Sequence, residues 1–216
     1  MDECERATVK AAQMKLIQSL PYSYSRASPK DVDGVSNYYL TVQKPGSKNA
    51  LRLYFADTGA WGTFTANQST YFKSIAKKFR GDNAPAIMFF HIPTVHYANF
   101  TGGNGTQGTQ GESVTSGIDN AALFDTMVAM GDVKASFVGH DHYNDFCFLE
   151  KPIHLCYGGG GGYGAAYGSP KHSRRARVIE WSLTAKKETI ETYICRQTEA
   201  NDFAKYTIYD QSFSSI

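Results

Sequence analysis

The sequence of 216 residues has no large excess of charge: 22 Lys and Arg stand against 20 Asp and Glu, a formal net charge of +2. That balance excludes a strongly basic face, so nucleic acid is not expected as the main partner. No apolar run approaches the ~20 residues that span a bilayer, so no membrane role is expected. Cysteine is sparse. Cys4, Cys147, Cys156 and Cys195 form no CxxC pair, and they read first as reduced or buried thiols, with a disulfide framework as the alternative. The opening Met1-Asp2-Glu3-Cys4-Glu5-Arg6 lacks the basic start and apolar core of a signal peptide. It leans toward the cytoplasm without deciding the compartment. Sequons begin at Asn67, Asn99 and Asn104, and they matter only in a secreted protein.

What is present is aromatic and apolar. Fourteen Tyr, 13 Phe and 42% hydrophobic residues suit one strand-rich core, and residues 1–216 are read as a single domain. Apolar residues at helical spacing predict helices from Glu3 to Leu20, closed by Pro21, and from Asn67 to Arg80. A third is expected from Asp119 to Met130, with Ala122, Leu123, Thr126 and Met130 on one side. Asn37–Val42 and Leu51–Ala56 look like a hairpin about Pro45-Gly46. Ala86–Phe90 and Ala135–Val138 are short continuous apolar runs, as expected of strands buried on both faces. Further strands are expected at 153–157, 177–183 and 189–195. Asn99 to Gly117 is nearly all Gly, Thr, Asn, Gln and Ser, and reads as a long surface loop.

Two of the buried strands end in histidine. His91 follows the first, and Gly139-His140-Asp141-His142 follows the second. Strand ends of α/β sheets collect functional groups, and residues two apart in an extended segment face the same way. Three imidazoles on neighbouring loops therefore suggest a site for zinc, iron or manganese. Taken alone, His91 reads as an ordinary hydrogen-bonded loop residue, and the Gly-His-x-His element is the stronger signal. His96, His154 and His172 lack such a setting and read as surface or packing residues. Asp57, Glu112, Asp141 and Asp145 are candidate local carboxylates, with Asp57 and Asp145 equally suited to turns or to holding a ligand residue. The run after Tyr157 is rich in glycine but lacks the Lys-Ser/Thr of a nucleotide loop.

Phe89-Phe90-His91-Ile92-Pro93, Gly131-Asp132-Val133-Lys134-Ala135, the segment from Gly139 to Cys147, Leu155-Cys156-Tyr157-Gly158-Gly159-Gly160 and Arg174-Arg175-Ala176-Arg177 follow in order. With Leu16-Ile17-Gln18-Ser19-Leu20-Pro21, Asp31-Val32-Asp33-Gly34 and Leu53-Tyr54-Phe55-Ala56-Asp57-Thr58-Gly59, this set resembles the calcineurin-like metallophosphoesterases, in the branch allied to purple acid phosphatases. The resemblance covers the chain to about Leu183.

It implies an α/β fold, the C-terminal half of a four-layer αββα sandwich, with the chain truncated relative to the whole domain. It also implies a phosphorylated substrate hydrolysed by a metal-activated hydroxide, and divalent or mixed-valence Fe, Mn or Zn ions, two in the family and one or none here. By motif, His91 and His140 would bind one metal and His142 the other, with Tyr157 and Gly158 beside the substrate. No catalytic acid or base is assigned. The Asp-x-His, Gly-Asp-x-x-Asp and Gly-Asn-His elements of such proteins do not occur in this sequence. Gly81-Asp82-Asn83-Ala84-Pro85 and Gly131-Asp132-Val133-Lys134-Ala135 lack the second Asp. Without anionic ligands two dications would repel each other. Three readings follow: a phosphatase impaired by missing ligands, a binding module using the Gly/Thr loop or residues 157–167, and a single-metal hydrolase held by His91, His140 and His142. A partner covering exposed sheet is also expected.

Overall fold

A computed structural model describes residues 3–43, 49–163, 173–197 and 204–213, with the side chains of 3–7 and 49 left aside. A six-stranded sheet runs in the order β1-β2-β3-β4-β6-β5, and a three-stranded sheet in the order β7-β8-β9. In the first sheet β2 (Asn49–Phe55), β3 (Ala86–Phe89), β4 (Val133–Val138) and β6 (Ile153–Tyr157) are mutually parallel. The edges β1 (Tyr38–Gln43) and β5 (Cys147–Glu150) are antiparallel to their neighbours. The second sheet is antiparallel, from β7 (Arg175–Leu183), β8 (Lys187–Arg196) and β9 (Tyr206–Ser212).

The parallel centre explains the uninterrupted apolar runs of β3 and β4, because both faces are covered. On one face α2 (Ala66–Lys78) and α3 (Ala121–Met130) pack with Phe72, Phe124, Met127, Met88 and Leu155. Facing Leu51, Ile87, Ala135 and Phe137 on the other side are Ile190 and Ile208 of the small sheet. The described layers are thus helix, sheet and sheet, a mixed α/β fold, and they do not complete a four-layer sandwich. α1 (Glu3–Gln18) half-buries Lys10, Met14 and Ile17 at i, i+4 and i+7 and exposes Leu16. Tyr38, Phe55, Phe89 and Phe137 form a ladder across β1 to β4, with ring centres 4.5, 5.2 and 5.6 Å apart. This ladder floors a groove of about 770 Å³ between α1 and β7.

Four expectations are corrected. β5 and β9 were not anticipated. Ala122 is exposed while Phe124 and Met127 are buried. Cys147 and Cys156, directly opposed across β5 and β6, form a disulfide, because antiparallel register brings residues nine apart into reach. Cys195 is a free thiol. The polar loop after Asn99 is also anchored along its length: Gln107 bridges the outer edge of β5 through Cys147, and Thr109 N–H donates to Asp145. The Pro45-Gly46 turn and His172 lie outside the described residues.

Candidate functional site

Because β2, β3, β4 and β6 run the same way, Asp57, His91, His140 and Gly158 all emerge at one end of the sheet. A cavity of about 370 Å³ there is lined by Lys10, Asp57, His91 and His140. The rings of His91 and His140 lie nearly perpendicular, with centres 5.4 Å apart. Two imidazoles sharing one cation at ~2.1 Å would hold their centres roughly 5 Å apart, so this pair has the spacing of a two-nitrogen claw.

The local backbone makes that approach possible. Gly139 N–H donates to the His91 carbonyl at 3.1 Å, and Asp141 N–H donates to the Gly139 carbonyl at 2.9 Å. His140 between them has φ +69°. An i to i+2 hydrogen bond about a residue with positive φ is a γ-turn, an uncommon and strained form for a residue with a Cβ. A Cβ on Gly139 would stand 3.1 Å from His91 Nδ1, so a larger residue there would require that ring to give by a few tenths of an ångström. One on Gly160 would meet the His142 backbone carbonyl at 3.0 Å.

The acidic groups are engaged elsewhere. Asp141 Oδ2 accepts from the buried Tyr157 hydroxyl at 2.6 Å and from Thr115 N–H at 3.0 Å. Asp57 accepts from Val35 N–H at 2.7 Å and Gly59 N–H at 3.0 Å, and its carboxylate lies 3.5 Å from the Lys10 ammonium. Burial pushes the Asp57 pKa up, but those N–H donors and Lys10 together hold it below the usual carboxylate value. Although His91 is exposed as a residue, the inward side of its ring is crowded. Desolvation first, then the charges of His140, His142 and Lys10, push its pKa down. At neutral pH His91 is therefore uncharged.

His91 and His140 come together as the strand-end argument requires, and His142 is near enough to act on His91 electrostatically. Among the described residues no three His, Cys, Asp or Glu side chains are arranged to hold a metal ion. The donor set thus fits part of a metal site and does not fit a two-metal centre, which needs carboxylates between the cations. Tyr157, expected beside the substrate, is instead fully buried beneath the site with its hydroxyl on Asp141; burial and that carboxylate push its pKa far up. Gly158 does line the larger groove. His96 stacks on Phe124 at 4.0 Å and His154 bonds the Tyr206 hydroxyl at 2.9 Å, both in packing roles.

Sequence reasoning missed Lys10, because nothing in a helical pattern reveals which turn meets a distant loop. It also missed the loop's part in the site. Thr115 N–H holds Asp141, Glu112 Oε1 accepts from Tyr143 N–H at 2.7 Å, and Glu112 N–H donates to Asn144 at 3.0 Å. The segment read as a long surface loop is the clamp on the His140–His142 turn.

No family model matches the chain. Probable inactive purple acid phosphatase 29 of Arabidopsis thaliana is 34% identical over 203 residues, which cover 81% of this chain and 52% of that protein. Probable inactive purple acid phosphatase 28 of the same plant is 36% identical over 183 residues, 74% of this chain and 44% of that one. Phosphatase DCR2 of Saccharomyces cerevisiae is 29% identical over 203 residues, 81% and 34% respectively. The chain spans about half the length, or less, of these relatives.

Proposed function

This chain belongs to the purple acid phosphatase-related proteins, and from that premise we propose that it is a phosphoester-binding unit with little or no hydrolytic power of its own. The phosphate end of the ester sits among Lys10, His91 and His140. An apolar body lies along the groove floored by Phe55, Phe89 and Phe137. The observation that carries this reading is the grouping of one ammonium and two imidazoles about a single opening at parallel strand ends.

A phosphate dianion suits these groups. Lys10 supplies a charge, and each imidazole can donate one N–H. Bound metal would supply an activated hydroxide and charge neutralisation. The described residues offer two imidazoles toward such a centre while Asp57 and Asp141 remain tied to other partners, so no hydrolytic step is derived from them. The names of the Arabidopsis relatives, probable inactive purple acid phosphatases, agree with little or no turnover.

The test is p-nitrophenyl phosphate hydrolysis with added Mn²⁺, Zn²⁺ or Fe. The expected result is no rate above that of His140→Ala under the same conditions. Brisk turnover abolished by His140→Ala would overturn the claim of impaired chemistry.

A further inference from the structure

The Asn99 and Asn104 sequons lie in the first part of the loop, ahead of Glu112 and Thr115, which hold the His140–His142 turn. Asn99 ends a short 3₁₀ turn, Val95–Asn99, and is exposed, as is Thr101. Phe100 between them turns inward and stacks on Phe146 at 4.1 Å, so the strip presents asparagine and threonine outward on an anchored stem. Asn104 is exposed in a turn closed by the Thr106 hydroxyl and N–H donating to the Gly103 carbonyl. A Cβ built on either neighbour, Gly103 or Gly105, would meet nothing within 4 Å. The surroundings of Asn104 are open, as a bulky polar attachment requires.

Asn67 differs. Its side-chain oxygen accepts from Asp33 N–H at 3.2 Å and the Thr65 hydroxyl at 2.8 Å, and the Ser69 hydroxyl of its sequon is paired with Thr126 at 2.7 Å. It is set into the first turn of α2.

A second, independent observation concerns the compartment. Cys147 and Cys156 are both fully buried and joined, and structural disulfides of this kind form and persist where the environment is oxidising. The two features meet in space. Gln107, three residues after Asn104, exchanges backbone hydrogen bonds with Cys147, donating at 2.9 Å and accepting at 2.8 Å.

We propose that Asn99 and Asn104 carry N-linked glycans, and that the chain matures in an oxidising secretory compartment where Cys147 and Cys156 are joined. The amide nitrogen of each asparagine forms a bond to the anomeric carbon of a polyprenyl-diphosphate-linked oligosaccharide. The polyprenyl diphosphate leaves and the amide proton passes to base. The two thiols lose two electrons and two protons to the disulfide of an exchange partner, which is reduced to its dithiol. The sugars sit on the loop that covers the β5 edge, shielding an edge strand from pairing with another chain.

The experiment is peptide mapping of the protein purified from its native cells, without reduction, after release of N-glycans by peptide N-glycosidase in heavy-oxygen water. Asn99 and Asn104 are expected as labelled aspartate, with the Cys147 and Cys156 peptides linked. Unlabelled asparagine at both positions, or free alkylatable thiols at Cys147 and Cys156, would overturn the proposal. As a companion, Asn99→Gln and Asn104→Gln each remove one mobility step from the chain secreted by eukaryotic cells, whereas equal mobility of both variants and the parent counts against it.

Discussion

The two ends of the six-stranded sheet handle charge in opposite ways. At the start of the parallel strands Arg52 is 1% exposed. Its Nε donates to Asp132 at 3.0 Å and its Nη2 to the Ala84 carbonyl at 2.8 Å, while Tyr54 donates to the same Asp132 oxygen at 2.7 Å. Phe79 lies under the guanidinium at 5.6 Å. The ion meets its counter-ions, Asp132 and, 3.7 Å from Nη1, Asp82, which is how a buried charge is tolerated for structure. Among the described residues Arg52 Nη1 and Asp132 Oδ1 have no hydrogen-bond partner. At the far end His91 and His140 face each other with no carboxylate bonded to either ring among the described residues, on a γ-turn that holds His140 at positive φ. Imidazoles without a carboxylate partner, on strained backbone, set apart the end where the phosphate site is proposed.

The sharpest way to break this comparison is Arg52→Ala. It leaves the half-buried Asp132 without its cation and opens a hole where Arg52 was, and should cost about 3 kcal/mol, read as a lower urea midpoint with phosphate affinity per folded molecule unchanged. Gly139→Ala works at the other end. Its methyl would press on the His91 ring at 3.1 Å and shift it slightly, weakening inorganic phosphate binding by up to about tenfold, or about 1.4 kcal/mol, with a small effect on urea stability. His140→Gly separates function from stability. Relief of the left-handed conformation should raise stability by about 1 kcal/mol while phosphate binding falls.

A pH-dependent effect concerns His154, away from both ends. Burial pushes its pKa down from 6.5 to about 4, so the unfolded chain takes up a proton that the fold refuses. Stability is therefore full above pH 6.5 and declines as pH falls toward 4. His154→Gln should flatten that slope in thermal melts, and an unchanged slope would assign it to other groups.

The helices and buried strands were legible because period and run length are local: α2 and β3 match their apolar patterns closely. The pairing of His91 with His140 was legible too, since both follow runs that belong only in a parallel centre. β9 was not, because Tyr206–Ser212 has a weak burial pattern and gains its place by pairing with β8. Cys147 and Cys156 depend on register, which spacing alone does not disclose. Lys10 beside Asp57 is a contact between a helix and a loop 47 positions on, beyond any local pattern. Asp132 was set apart by its sequence, since Gly131-Asp132-Val133-Lys134-Ala135 lacks the second Asp of the metal-ligand element. It stands just before β4 and holds Arg52 at the opposite end of the sheet from the histidines.

Titrating inorganic phosphate into protein labelled with ¹⁵N in its imidazoles tests the division between the ends most directly. The His91 and His140 resonances should shift together and saturably, and Lys10→Ala should weaken the response, with His96 and His154 unmoved. Histidine signals that stay in place as phosphate rises, or that all drift alike, would contradict a phosphate site at the strand ends.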